Sequence, residues 1–386
     1  MLSLATSWCT CILVSNLAFF TRGKPRSYNS NFNFHRSILL NCHLLHRTCC
    51  REKAETHFKS LIRCSHMANN EHSISVIILT KNSEETIAKC LESIFNQTIK
   101  PDEVIVIDGH SKDNTLKFVK QFSVKLFIEP GLGYGYARNY GVQKAKGDII
   151  FFIDSDCYAE PNWIEKALPH FKDPNIVGVT GPTLLWNTEH ACARFLAYIG
   201  GRMEKHRSRR YVEIAPTMNL AIRRNVIFDV GGFDETLIRG EDTDLTYRIT
   251  RQHKIIYEPE AVIWFKGSPN VWTATHKCVR HFIGVGQLLV KHGFKKRFFR
   301  FNLLARGFLT VTMIISIFIL PFYAFIALFI LLLTDFVYKL IRMYNLYHDR
   351  CVIYYAVFFT LWSLASFAIF YGLYIGLKNK LKNRNS

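Results

Sequence analysis

Acidic residues are scarce at both ends of this chain. Residues 1–66 hold two Asp/Glu against nine Lys/Arg, and residues 291–386 hold two against thirteen. Between them, 26 acidic residues nearly balance 27 basic ones, so the formal net charge of +19 sits in the flanks. That distribution argues against a basic nucleic-acid surface on the central part and fits a chain that faces a membrane. A disulfide framework is missing as well. Six of the eleven cysteines lie in residues 1–66 and the other five are scattered singly, which points to a reducing compartment. Cys42, His43, His46, Cys49, Cys50 and Cys64 follow no zinc-finger spacing. The stretch with Gly131, Gly133 and Gly135 is not followed by Gly-Lys-Ser/Thr, which excludes a Walker phosphate loop. Leu2 to Phe20 is uncharged but lacks the basic start of a secretory signal. Residues 1–66 are therefore expected to be a leader, disordered or absent from the mature protein, with the working chain beginning at Met67.

What the chain does have is centred on Gly147 to Asp156. The apolar run Ile149 to Ile153 predicts a strand buried on both faces of a parallel sheet, and it ends in Asp154 and Asp156. Open α/β sheets bind ligands at the carboxyl ends of their strands. Two acids one residue apart repel each other unless a cation lies between them. Mg2+ or Mn2+ prefers a few carboxylates completed by substrate phosphate oxygens. The expected site is thus a metal–diphosphate site.

The preceding segments support a nucleotide-binding half-sheet. Ser73 to Thr80 reads as a strand, and Asn82 or Ser83 is expected to cap a helix whose core face is Ile87, Leu91, Ile94 and Phe95. Val104–Ile107 is a second strand, followed by the polar loop Asp108 to Thr115, and Lys125–Ile128 is a short third. This β-α-β-α-β order predicts a mostly parallel, doubly wound sheet.

The run Ser75 to Asn82, then Cys90 to Gln97, then Asp102 to Thr115, then Ala137-Arg138-Asn139 before Asp154-Ser155-Asp156, resembles family-two inverting glycosyltransferases of the GT-A fold. The likeness extends over roughly residues 73–290. It implies that Thr80, Asn82 and Asp108 lie near the nucleotide base and ribose, that Arg138 neighbours the diphosphate, and that Asp154 and Asp156 hold the metal on that diphosphate. It also implies that the catalytic base is Asp242 in Glu241-Asp242, at an expected helix start where the dipole favours the ionised acid. Three departures stand out. Gly109 occupies the place after Asp108 where many relatives have a second acid, leaving uracil or guanine open. Phe265 and Lys266 follow the strand where many relatives carry a His. The Gln-x-x-Arg-Trp motif of processive polymer synthases is absent, and residues 276–300 mix aromatics with Lys/Arg in the manner of an interfacial helix.

Phe308 to Thr334 and Val352 to Leu377 are charge-free and long enough to span a bilayer. Lys295, Lys296, Arg297, Arg300 and Arg306 precede the first, and Lys378, Lys380, Lys382 and Arg384 follow the second, which places both flanks in the cytoplasm. The expected organisation is a leader over 1–66, a GT-A domain over 67–300 and a transmembrane hairpin over 301–386. The expected function is metal-dependent, inverting transfer from a nucleotide-sugar to a lipid-linked or membrane-proximal acceptor, by a multi-pass membrane protein whose catalytic domain is cytoplasmic. A polyprenyl-phosphate sugar synthase of the dolichyl-phosphate type is the close alternative, and a non-catalytic nucleotide-sugar-binding anchor the more distant one.

Overall fold

The computed structural model describes residues 72–199, 210–293 and 368–382, together with a few helical positions between 326 and 341. The leader over 1–66 and nearly all of both expected membrane spans, apart from residues 368–377 of the second, lie outside the described residues. Among the described residues, no helix is long and apolar enough to cross a membrane.

The first half alternates β1 (Ile74–Thr80), α1 (Ile87–Phe95), β2 (Glu103–Asp108), α2 (Thr115–Val119), β3 (Lys125–Ile128), α3 (Tyr134–Lys144) and β4 (Ile149–Asp154). The second contains β5 (Cys157–Ala159), α4 (Trp163–Ala167), β6 (Ile176–Thr180), β7 (Thr183–Leu185), α5 (Ala191–Ile199), β8 (Tyr211–Val212) and β9 (Leu220–Arg223). It continues through α6 (Arg224–Asp229), α7 (Glu241–Ile249), β10 (Lys254–Tyr257), β11 (Ile263–Phe265) and α8 (Val271–His292), and α9 (Ala368–Lys382) comes last.

The main sheet has the order β3-β2-β1-β4-β9-β6-β10-β8, and a smaller sheet has the order β5-β11-β7. Strands β3, β2, β1 and β4 are mutually parallel. Alternate residues of the apolar strands feed opposite faces, as a period of two requires. Ile74, Val76, Ile78, Phe151 and Ile153 pack with Ile87, Leu91 and Ile94 of α1 on one side. Ile77, Ile105 and Phe152 pack with Ala137 and Val142 of α3 on the other. Helices on both faces make the sheet doubly wound, as the sequence predicts.

Two local expectations need correction. The helix after β1 begins at Ile87, not at Asn82 or Ser83. Asn82 adopts a φ of 49°, and its side-chain Oδ1 accepts the Lys112 N–H at 2.8 Å, so it ties two loops together instead of capping a helix. The sheet is mostly parallel, as expected, with β9 inserted antiparallel between β4 and β6. Finally, the helix of α8 is not simply interfacial. Phe282, Val285, Gln287, Leu288 and Leu289 are buried in protein, because one face packs on the 234–240 loop and another on α9.

Asn219 stitches the two sheets together. It is buried, its Oδ1 accepts the Trp163 indole N–H at 2.9 Å, and its Nδ2 donates to the carbonyls of Pro182 and Ala261 at 2.9 Å each. Asn219→Ala would leave a buried indole N–H and two buried carbonyls unpaired, and we expect a loss of about 3 kcal/mol. Chemical denaturation should show a lowered midpoint with an unchanged slope.

Candidate active site

Strand register sets the site. Thr80 pairs with Asp108 across β1 and β2, Leu79 pairs with Asp154 across β1 and β4, and Asp108 pairs with Ile128 across β2 and β3. Parallel strands in that register finish level, so their polar ends form one row along a single sheet edge.

At one end of that row, Asp108 is fully buried and accepts both the backbone N–H, at 2.9 Å, and the hydroxyl of Ser111. Ser111 Oγ in turn accepts the Asn82 N–H at 2.9 Å. Both Asn82 and His110 have positive φ, 49° and 60°, and these hydrogen bonds hold that costly backbone in place. The Thr80 hydroxyl is buried beside this loop without a hydrogen-bond partner. Thr80, Asn82 and Asp108 are thus brought together, and Asp108 spends its carboxylate on shaping the loop. Sequence reasoning missed Glu129. A Cβ on Gly109 would stand 3.4 Å from Glu129 Oε1, so a carboxylate from the end of β3 borders the position after Asp108. Its Oε2 accepts the N–H groups of Gly131 and Leu132 at 2.7 and 2.9 Å.

At the centre, Asp154 closes β4 and Asp156 follows two residues on. Ser155 Oγ lies 2.9 Å from Ser83 Oγ, which ties this turn to the loop after β1. Burial pushes the Asp154 carboxyl up to about 6; Arg138 opposes the shift, and the charges of Asp156 and Asp242 add to it. Crowded, hard, partly desolvated carboxylates are the donor set that Mg2+ or Mn2+ takes when phosphate oxygens complete its shell, so Asp154 and Asp156 fit that ion. Among the described residues, no group of three potential metal-binding side chains gathers. Lys266 follows β11 directly. Its N–H donates to the Asp156 carbonyl at 2.8 Å and its ammonium pairs with Glu85. The nearby thiols of Cys90 and Cys157 are pushed up chiefly by burial, which disfavours the thiolate.

Arg138 joins the two halves. It projects from α3, is buried, donates to Glu241 and lies 3.6 Å from Asp154. Burial works against its charge, but Glu241, Asp154 and Asp242 together raise its pKa above the ordinary value. So Arg138 sits among the acids, with its guanidinium turned to carboxylates of this chain. Glu241 is buried and its Oε2 has no partner. The Glu-Asp pair was visible in the sequence, but the demand of Arg138 for a buried counter-charge was not.

Asp242 lies in the first turn of α7, half-buried, with Oδ1 accepting the Thr243 N–H at 2.6 Å. The helix opens at Gly240, whose φ of 85° suits glycine. Glu241, Asp242 and Asp244 all fall in that first turn, where backbone N–H groups favour negative charge. Arg239 adds a positive charge that acts on Asp154, and it lies 4.2 Å from the Tyr134 ring.

Residues 75–232 match the family model described as Glycosyl transferase family 2. The chain carries a family-two glycosyl transferase domain. Among curated proteins it is similar to "Glycosyltransferase AglE" of Haloferax volcanii, 32% identical over 47% of this chain and 65% of that protein. It is also similar to "Glucosyl-dolichyl phosphate glucuronosyltransferase" of the same organism, 27% identical over 49% of this chain and 67% of that one. The match thus spans about two thirds of the length of these relatives. Among solved structures, a mannosyltransferase from Pyrobaculum calidifontis in complex with GDP-Man and Mn2+ superposes with a TM-score of 0.56 at 18% identity, over 78% of this chain and 88% of that one. That likeness concerns the fold, which is α/β and GT-A-like.

Two predictions follow from the buried charges. Arg138→Met would strand Glu241 and should cost about 3–5 kcal/mol, whereas Arg138→Met combined with Glu241→Leu should recover much of the loss in an unfolding titration. The second concerns Asp244, fully buried in α7. Burial would raise its pKa, but the His292 hydrogen bond at 2.7 Å and the charges of Arg248 and Lys291 outweigh it and hold it at about 2. A carboxyl depressed in the folded state contributes stability above its unfolded value of about 3.9, and that stability fades as pH falls through 2. The stability difference between the parent protein and Asp244→Asn, about 2–3 kcal/mol from this source near neutrality, should therefore shrink between pH 4 and pH 2.

Proposed function

We propose that this chain is a metal-dependent, inverting glycosyltransferase that moves a sugar from a nucleoside-diphosphate sugar to a lipid-linked acceptor at a membrane surface. The observation that carries this reading is Arg138, buried between Asp154 and Glu241, which brings the metal-type acids and the Glu241-Asp242 turn into one electrostatic cluster.

In this reading the loops after β1 and β2 hold the base and ribose. Thr80 offers its unpartnered hydroxyl, and Asn82 and Asp108 keep the loops in shape. Asp154 and Asp156 face the diphosphate. The divalent ion bound there would polarise the phosphate oxygens and ease departure of the nucleoside diphosphate. Asp242, half-exposed at the positive end of α7, takes the proton of the acceptor hydroxyl as that oxygen attacks the anomeric carbon from the face opposite the leaving group. One such displacement inverts the configuration. Arg138 holds the negative charges of the two arms at a fixed spacing.

A lipid-linked acceptor is supported by two features. The named substrate of one relative is a glucosyl-dolichyl phosphate. In addition, α9 exposes Tyr371, Tyr374, Leu377 and Leu381 beside Lys378 and Lys382, a mixture suited to the headgroup region. The apolar runs over 308–334 and 352–377, with their basic flanks, support a hairpin that leaves the domain on the cytoplasmic side.

Asp156→Asn should abolish Mn2+-dependent donor binding in calorimetry. Asp242→Asn should keep donor binding and lose turnover by about a hundredfold or more. Near-parental transfer by Asp242→Asn would reject the base assignment in favour of an acceptor that is already ionised, such as a polyprenyl phosphate.

A further inference from the structure

Helix α8 presents Gly284, Gln287, Leu288 and Lys291 at helical spacing toward the loop that leads from α6 to Asp242. Each position makes a different contact with that loop. A Cβ on Gly284 would stand 2.3 Å from the Arg239 carbonyl, so α8 and the loop backbone touch where only glycine fits. Leu288 lies against Gly240, the residue that opens α7. Lys291 forms an ion pair with Asp234 at the start of the loop. Gln287, only 3% exposed, uses both ends of its amide on the same loop. Its Oε1 accepts the Ile238 N–H at 2.9 Å and its Nε2 donates to the Thr236 carbonyl at 3.0 Å.

We propose that Gln287 is a positioning residue for the Asp242 carboxylate, acting through residues 236–240. The inference rests on Asp242 being the base, as argued above. A single amide that donates to one carbonyl and accepts from an N–H two residues on fixes the loop in direction as well as distance. That loop runs directly into Gly240 and the first turn of α7, where Glu241 pairs with Arg138 and Asp242 meets the acceptor. The far side of α8 is held as firmly. A Cβ on Gly286 would stand 2.2 Å from the Ile369 carbonyl of α9, and one on Gly372 would stand 2.0 Å from the Ile283 carbonyl. Neither neighbour of Gln287 leaves it room to shift.

The test uses the full chain in detergent with Mn2+ and a nucleotide-sugar that it hydrolyses, water serving as acceptor. Gln287→Met keeps the size of the side chain and removes both hydrogen bonds. We expect kcat for hydrolysis to fall by about tenfold to a hundredfold, the scale of a small displacement of a catalytic group, with the donor KM unchanged. On an Asp242→Asn background the same change should cost less than twofold, because the group being positioned is gone. An equal fractional loss on both backgrounds, a loss that appears in donor KM, or unchanged turnover would overturn the proposal while leaving Asp242 as the base. Near-parental hydrolysis by Asp242→Asn alone would overturn the base and the positioning role together. If Gln287→Met does not bind donor, the same comparison with Gln287→Glu, which keeps the acceptor oxygen, decides on the same criteria.

Discussion

The site depends on one buried ionic contact, the guanidinium of Arg138 between Glu241 and Asp154. A charge taken out of water is tolerated only where counter-charges and hydrogen bonds replace its hydration. At 3.6 Å and an effective dielectric constant of about 20, the attraction to Asp154 alone is worth about 4–5 kcal/mol before desolvation is counted. The arrangement brings together residues about a hundred positions apart, one on α3 and one on α7, and makes the spacing of the acids a property of the folded core. It also answers a problem of the acids themselves. Asp154, Asp156 and Asp242 would repel one another in an open cleft, and Arg138 supplies a permanent part of the neutralisation.

The frame for that contact is the strand register. Because β1, β2 and β4 end level, residues chosen for chemistry can sit one step beyond residues chosen for packing. Ile78 and Ile153 are sealed in the core, and Thr80 and Asp154 lie only one or two positions further on. The same economy applies in α7, where Leu245 and Ile249 anchor the helix in the core and Asp242 occupies its open first turn.

Much of this was legible from residue order. β1, β2 and β4 announce themselves as apolar runs ending in polar residues, and the paired acids mark the ligand edge. What escaped the sequence did so for identifiable reasons. β9 is four residues long and ends in Arg223 before Arg224, and only the sheet into which it inserts makes it a strand. Asn82 and Ser83 have the right chemistry to cap α1, but the bond that Asn82 accepts from the Lys112 N–H and the one that it donates to Ser111 Oγ claim it for another purpose. The partnership of Arg138 with Glu241, the proximity of Glu129 to Gly109 and the two hydrogen bonds of Gln287 to its loop all join separate parts of the chain. Local periodicity carries no information about them.

The crossing of α8 and α9 has a kinetic side. Gly286 and Gly372 are 86 positions apart, yet their helices meet closely enough to exclude a methyl group. A contact of that span must overcome the entropy of closing a long loop before it gains anything, and such contacts set the slow steps of folding. The strands that carry Thr80 and Asp108 pair across 28 positions, and β4 meets β1 across 75. Helix α8 acquires its second wall only when the distant segment arrives. Strands β1 to β4 assemble without α9, whereas the wall behind the helix that holds the 236–240 loop is completed only by the last described helix of the chain.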